Sequence, residues 1–406
     1  MPGVKNVLML TGLFPGEIRN DIVANSKYNT QFAADALQWS FLKGLTNYYK
    51  NLRVLNFPFI GSYPTLYKTP FIKSFSFGKD KGFDGVNIGY FNLIGLKNAI
   101  IYRQAKSNIR NWAKQNEGEK AILIYSAFLP FLKAAIGAKK EFDGLKVYLI
   151  LPDLPQFMGG PDNALYKAFK KITNDQLYKS FTQIDGFVLL SKYMVDALPV
   201  DNKPYTVVEG IFNDQVTVAP APKVVSDKKI ILYTGTLARR YGILRLLEAF
   251  GLIDDKNYLL VICGDGDTKE DINLAAEKDS RIIYKGSVDR AEVLKLQQEA
   301  SLLINPRTAE GEFTRFSFPS KTMEYLASGV PVLLYKLPGI PDEYYNYCYS
   351  LEDASTSALS KKITEILSLE ATVLTEKGRL AREFILNNKN PEKQCGKVYK
   401  LIEEIK

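Results

Sequence analysis

The chain has 406 residues, 46% of them apolar and 24% charged, too long for one ordinary core and suited to two globular domains. It contains no histidine, which excludes Ser-His-Asp and Cys-His nucleophiles and the commonest zinc sites; three cysteines (Cys263, Cys348, Cys395), odd in number and without metal-type spacing, point to free thiols in a reducing compartment. The net charge of +9 is uneven, with 25 Lys and Arg against 14 Asp and Glu in residues 1–200 (+11) and 28 against 30 in the rest (−2). A basic first half fits an anionic partner, nucleic acid or an anionic membrane surface, or a solvated lysine-rich face.

The run Val4 to Leu10 reads as a first buried strand. It lacks a small-residue cleavage site and turns at Pro15-Gly16, so it is not read as a signal peptide. Further strands are expected at Leu52 to Phe57, Gly85 to Phe91, Ala121 to Tyr125, Leu145 to Leu151, Ile184 to Leu190 and Tyr205 to Val208. Amphipathic stretches such as Ala33 to Tyr49 and Ala99 to Gln115 separate them. Strand and helix alternating at this spacing predict a parallel sheet covered on both faces. The apolar run from Ala121 is broken by Pro130 and Lys133 and splits into strand and helix, so no transmembrane helix is expected. Residues 58–81 have no clear period, three prolines, aromatics and a basic end, and are read as a long loop that either meets lipid headgroups or folds over its own domain. Asp153, in LPDLP after a strand end, is a candidate carboxylate or a turn cap.

Residues 213–228 carry Pro220, Pro222 and polar residues without a pattern and read as a linker. Alternation then restarts with strands at Ile230 to Thr234, Tyr258 to Gly264, Ile282 to Tyr284 and Leu302 to Asn305. The tail from Glu376 is helical. The predicted fold class is α/β, with two Rossmann-like doubly wound domains, residues 1–212 and 229–384. In YTGTLARRYG (233–242) a glycine turn bares backbone N–H groups beside Arg239 and Arg240, a pair able to grip a pyrophosphate. CGDGD (263–267) lacks the third glycine of a dinucleotide fingerprint and the ligand spacing of a calcium loop. FSFPSKTMEYLASGVPVLL (316–334) begins a short helix at Pro319, stops it at Gly329 and Pro331, and continues as a buried strand. Ser317 or Ser320 caps that helix. Unpaired amides near Ser320, Lys321 and Thr322, with the charge of Lys321, make an anion site, and Glu324 one turn on could hold a diol.

The last string resembles the donor-site motif of the family 4 glycosyltransferases, retaining enzymes of the GT-B fold, in the subgroup carrying P-S-K before E-Y-x-A-x-G-x-P. The resemblance implies two domains facing a cleft, a last helix (about 385–406) returning to the first domain, and a nucleotide-diphosphate sugar, UDP first, held by the second. It implies no metal, and no cofactor besides the sugar nucleotide as substrate. Glu324 maps onto the second glutamate of a Glu-x7-Glu motif, which holds the ribose. Phe316 stands where the first, which contacts the donor sugar, is expected, leaving Glu310 or Glu312 to replace it from a loop. Relatives place their diphosphate-binding Arg and Lys at the positions of Thr236 and Tyr241; here that charge has moved to Arg239 or Arg240. Gly235, Gly264, Ser287, Val288, Ser320 and Thr322 fall on donor-side positions, and Gly12 or Gly16 on the first-strand loop that approaches the donor phosphates. Asp153 lies near the acceptor-facing position.

Catalysis is then expected from Arg239, Arg240, Lys321 and Asp153, with the departing phosphate helping to take the acceptor proton. The implied acceptor is a glycan or lipid-linked intermediate of polysaccharide biosynthesis, met on the cytoplasmic face of an anionic membrane, with no nucleic-acid partner. A non-catalytic GT-B-like scaffold and a basic nucleic-acid binder are the rival readings, and an NAD-dependent oxidoreductase fails on the glycine pattern.

Overall fold

A computed structural model describes residues 4, 6–28, 30–157, 164–199, 202–213 and 228–404, so the expected linker lies almost wholly outside the described residues. The chain divides into two units, residues 1–211 with 391–406, and residues 212–390.

In chain order the first unit contains β1 (Asn6–Thr11), α1 (Gly16–Asn25), α2 (Phe32–Leu45), β2 (Asn51–Asn56), β3 (Phe71–Ile72), β4 (Phe75–Phe77), β5 (Asp84–Asn87) and β6 (Tyr90–Phe91). There follow α3 (Lys97–Gln115), β7 (Lys120–Tyr125), α4 (Leu129–Lys139), β8 (Leu145–Leu151), α5 (Ala164–Phe181), β9 (Gly186–Leu189) and β10 (Tyr205–Val207). Its sheet runs β10-β9-β8-β7-β1-β2-β5-β4, parallel throughout except for β4 against β5. β7 is buried along its whole length, as a strand covered on both faces must be, which is why it reads as an unbroken apolar run.

Contrary to expectation, residues 58–81 are not loop throughout. They contain β3 and β4, and the expected strand 85–91 breaks into β5 and β6, the latter pairing antiparallel with β3 through Phe71 opposite Phe91 and Ile72 opposite Tyr90. Strands of two or three residues are too short to show a period of two, and nothing else in the sequence marks β3 and β4 as strands.

The second unit contains β11 (Lys229–Thr234), α6 (Ile243–Gly251), β12 (Tyr258–Cys263), α7 (Lys269–Lys278), β13 (Ile282–Gly286), α8 (Arg290–Glu299) and β14 (Leu302–Asn305). It continues with α9 (Ser320–Ala327), β15 (Val332–Tyr335), β16 (Tyr349–Leu351), α10 (Thr356–Leu367) and α11 (Ala371–Asn388). Its sheet is fully parallel in the order β13-β12-β11-β14-β15-β16, the dinucleotide-fold order with its reversal between β11 and β14. The last helix, α12 (Pro391–Glu404), belongs to the first unit. It packs on α2, where Tyr399 stacks on Tyr48 at 4.9 Å and the Cys395 thiol donates to the Phe41 carbonyl at 3.4 Å.

Candidate active site

At a reversal of strand order the loops diverge to opposite faces and leave a crevice at the carboxyl ends of the strands. In the second unit the ends of β11, β12 and β14, the turn after β13 and the start of α9 line a cavity of about 580 Å³. Its floor is two crossing loops. Gly235 N–H donates to the Cys263 carbonyl (3.0 Å), Gly264 N–H to the Gly286 carbonyl (2.8 Å) and Leu237 N–H to the Asp265 carbonyl (2.9 Å). Gly264 has φ +141°, and a Cβ there would lie 1.8 Å from the Gly235 carbonyl oxygen, so no other residue lets the loops cross. That close approach accounts for the first glycine of CGDGD. Asp267 in the same string accepts the Arg239 backbone N–H at 2.7 Å and clamps the loop.

One wall is α9. Pro319 is its N-cap residue with no side-chain cap, and neither serine serves as one: Ser317 Oγ donates to the Phe313 carbonyl and accepts from Arg307. Thr322 N–H turns back to the Pro319 carbonyl, which leaves the amides of Ser320 and Lys321 without a partner among the described residues. The helix is fastened to β11 by the fully buried Tyr325, whose hydroxyl accepts from Thr234 N–H (2.7 Å) and donates to the Thr234 carbonyl (3.1 Å).

The charges are ordered around Glu324, whose side chain is 17% exposed. It accepts from Lys321 Nζ at 3.0 Å, Arg290 at 2.6 Å and Gln297 at 2.6 Å. Burial pushes this carboxyl up, but the charges of Lys321 and Arg290, with the hydrogen bonds from Arg290 and Gln297, outweigh burial and hold it below the usual range.

A residue that sequence reasoning missed, Arg307, lines the same cavity just beyond β14. It is 8% exposed, donates to Ser317 Oγ at 2.9 Å and lies over the rings of Phe313 (4.6 Å) and Tyr241 (5.5 Å). Its buried Nε has no hydrogen-bond partner, and no carboxylate among the described residues pairs with it. Burial foremost lowers its pKa. A lone arginine after a strand end carries no motif, so only the strand order reveals it.

Gly235, Thr236, Gly264, Ser287, Val288, Ser320 and Lys321 line the cavity with Arg307; Asp265 is the acidic residue in the described lining, and Glu324 is outside it, next to Lys321. Arg239 and Arg240 do not. Arg239 is 60% exposed and paired with Asp271 at 3.0 Å, and Arg240 lies over the Tyr241 ring at 5.2 Å. Phe316 and Thr322 are buried outside the lining, and the Thr322 hydroxyl is unpartnered. Neither Glu310, which pairs with Arg245 at 3.1 Å, nor Glu312 reaches the lining.

In the first unit the loop after β1 has spent its amides. Gly12, Leu13 and Phe14 N–H groups donate to Gln38, Asn56 and Asp35 at 2.7, 2.7 and 2.8 Å. The Phe59 ring covers Gly12 so closely that a Cβ would lie 2.1 Å from it, so this glycine makes room for an aromatic side chain and does not present a free amide to a phosphate. Gly16 is exposed with open space around it, at the first residue of α1. Asp153 is exposed beyond β8, and crowding by surrounding protein pushes its carboxyl up.

Residues 217–389 match the family model described as glycosyl transferases group 1. No curated protein matches the chain in sequence. Among solved structures, sucrose-phosphate synthase from Thermosynechococcus elongatus is similar with a TM-score of 0.61 at 14% identity, covering 98% of both chains. Anabaena Alr3699/HepE, solved in complex with UDP, gives 0.62 at 12% identity, covering 98% of this chain and 100% of that one. A trehalose-6-phosphate synthase, studied for glycosyltransfer with retention, gives 0.62 at 10% identity over 99% and 100%. These likenesses establish the fold, two Rossmann-like domains of the GT-B type.

Proposed function

We propose that the chain, a glycosyltransferase, moves a sugar from a nucleotide-diphosphate sugar, a UDP-sugar first, to a glycan or lipid-linked acceptor with retention, as a step of polysaccharide biosynthesis. The observation that carries this reading is the charge of the second unit's cavity, where Lys321, the unpaired guanidinium of Arg307 and the free amides of α9 share one lining. As the bond from the anomeric carbon to the diphosphate breaks, negative charge develops on the leaving oxygen. Fixed cations and a helix N-terminus stabilise that charge without reorganising. Their presence also makes a metal unnecessary for this purpose.

Glu324, ionised and rigidly held, takes the ribose diol, and the backbone at Ser287 and Val288 holds the base. Arg239 and Arg240 act on the diphosphate only through their longer-range field. With no histidine in the chain, a departing phosphate oxygen accepts the proton of the attacking acceptor hydroxyl on the same face of the sugar, while Asp153 serves the acceptor side. The UDP complex of the Anabaena neighbour and the retention studied in the trehalose-6-phosphate synthase support donor and stereochemistry.

The enzyme works on the cytoplasmic face of a membrane. Among the described residues no helix is long and apolar enough to cross one. The exposed pair Phe71 and Phe91, with exposed Ile94, Leu96, Lys68 and Lys73, gives it an apolar and basic surface for anionic headgroups. UDP-, GDP- and ADP-sugars incubated with the protein and scored for nucleotide release, with Lys321→Ala as control, test the reading. Release that Lys321→Ala abolishes supports it, and no binding of any sugar nucleotide refutes it. Sedimentation with phosphatidylserine vesicles tests the membrane contact.

A further inference from the structure

A second cavity, of about 400 Å³, lies within the first unit at the carboxyl ends of β2 and β7, which flank β1 in the sheet. Phe57, Phe59 and Phe128 form aromatic walls, with Phe59 and Phe128 rings 5.7 Å apart. Ser26, Thr30, Gln31 and Ser126 supply neutral hydrogen-bonding groups, and no carboxylate among the described residues is in the lining. Its volume falls within the range of small-molecule sites.

One charge faces this space. Lys97, the first residue of α3, lines the cavity and donates to the Ile60 carbonyl, and no carboxylate among the described residues pairs with it. An ammonium has three donors, so two remain for something else. Burial lowers its pKa to about 8, the mark of a cation with no protein counter-charge. In the same lining, Ser126 sits at φ +70°, a left-handed conformation that a residue with a Cβ adopts at a cost and that clusters at ligand sites. An apolar wall, a few neutral hydrogen-bonding side chains and one cation with no carboxylate partner among the described residues fit a ligand with a flat carbon face, hydroxyl groups and a negative charge.

We infer that this cavity is the acceptor subsite for an anionic sugar, a hexose unit bearing a carboxylate or a phosphate, whose charge is met by Lys97 and whose ring lies against Phe59 and Phe128. The inference rests on the glycosyl-transfer reading, in which the other unit's cavity takes the donor nucleotide.

Calorimetry on the full chain without donor tests it, using glucuronate, glucose 6-phosphate and glucose as probes, and UDP separately. At least one anionic sugar should bind tenfold or more tighter than glucose, and which one does tells carboxylate from phosphate. Lys97→Met should erase that preference while keeping UDP affinity, and Lys97→Arg should restore part of it. Equal binding of all three sugars, or an unchanged preference in Lys97→Met, overturns the inference. Failure of UDP to bind the unmodified protein instead overturns the donor reading, and with it the acceptor role.

Discussion

Arg307→Met separates the cation the geometry selects from the pair that the sequence favours. Methionine keeps an apolar stem and removes the guanidinium, whose Cζ lies over the rings of Tyr241 and Phe313. A charge-assisted hydrogen bond to a phosphate contributes about 1.5–3 kcal/mol, so losing one should weaken UDP binding by about 10- to 150-fold. Arg239 is 60% exposed and already paired with Asp271, and a surface pair of that kind contributes about 0–1 kcal/mol. Arg239→Met should therefore change UDP affinity less than about twofold. Titration calorimetry with UDP at fixed ionic strength reads both variants, and urea denaturation confirms that each is folded. The reasoning fails if Arg239→Met or Arg240→Met costs tenfold while Arg307→Met leaves UDP affinity unchanged.

Glu324→Gln should weaken UDP binding and erase the preference for UDP over 2′-deoxy-UDP, which competition binding measures. Because the folded carboxyl is held below its unfolded value of 4.5, its stabilisation is present above that pH and is lost as pH falls through the folded value; Glu324→Gln should flatten the fall in urea midpoint there. Tyr325→Phe strands the buried Thr234 N–H and should lower stability by about 1–3 kcal/mol in urea, with weaker UDP binding because α9 is no longer fastened to β11. Lys97, with its folded pKa near 8 against 10.5, binds fewer protons folded than unfolded between those values, so stability should rise with pH across that window. The wild-type rise should reach at most about 3 kcal/mol, and Lys97→Met should not show it.

The parts of the fold written in local rules were legible. Pro319, Gly329 and Pro331 bracket α9, with Gly329 at φ +80° just beyond the helix, and β11, β12, β14 and β15 read as apolar runs because parallel strands are covered on both faces. β3, β4 and β16, of two or three residues each, were not, and the expected strand 85–91 hid the break between β5 and β6; runs that short carry little period, although β10, equally short, was expected from Tyr205 to Val208. The same division runs through the candidate site. Lys321 and Glu324 are three residues apart on one helix, so their contact follows from helical geometry alone. Arg307 joins them only because β14 pairs with β11, a tertiary fact invisible in spacing. Arg239 illustrates the converse, since its direction is set by Asp271 on α7, and adjacency in sequence to a glycine turn says nothing about where a long side chain goes.

Three partly or largely buried cations show how a fold distinguishes its own needs from those of a ligand. Arg281 is 9% exposed, and its guanidinium is bound by Asp279 (2.6 Å) and by the carbonyls of Ile253 (2.5 Å) and Asp255 (3.0 Å). Among the described residues, the side chains of Arg307 and Lys97 have one acceptor each and no carboxylate partner. Burying a charge without a partner costs stability, whereas removing one member of a satisfied buried network leaves the others stranded. Arg281→Met should therefore destabilise the protein by about 3 kcal/mol or more, and Arg307→Met and Lys97→Met should unfold at urea concentrations no lower than wild type. Were all three to destabilise alike, the two unpaired cations would be structural, and the case for anionic ligands in both cavities would fall together.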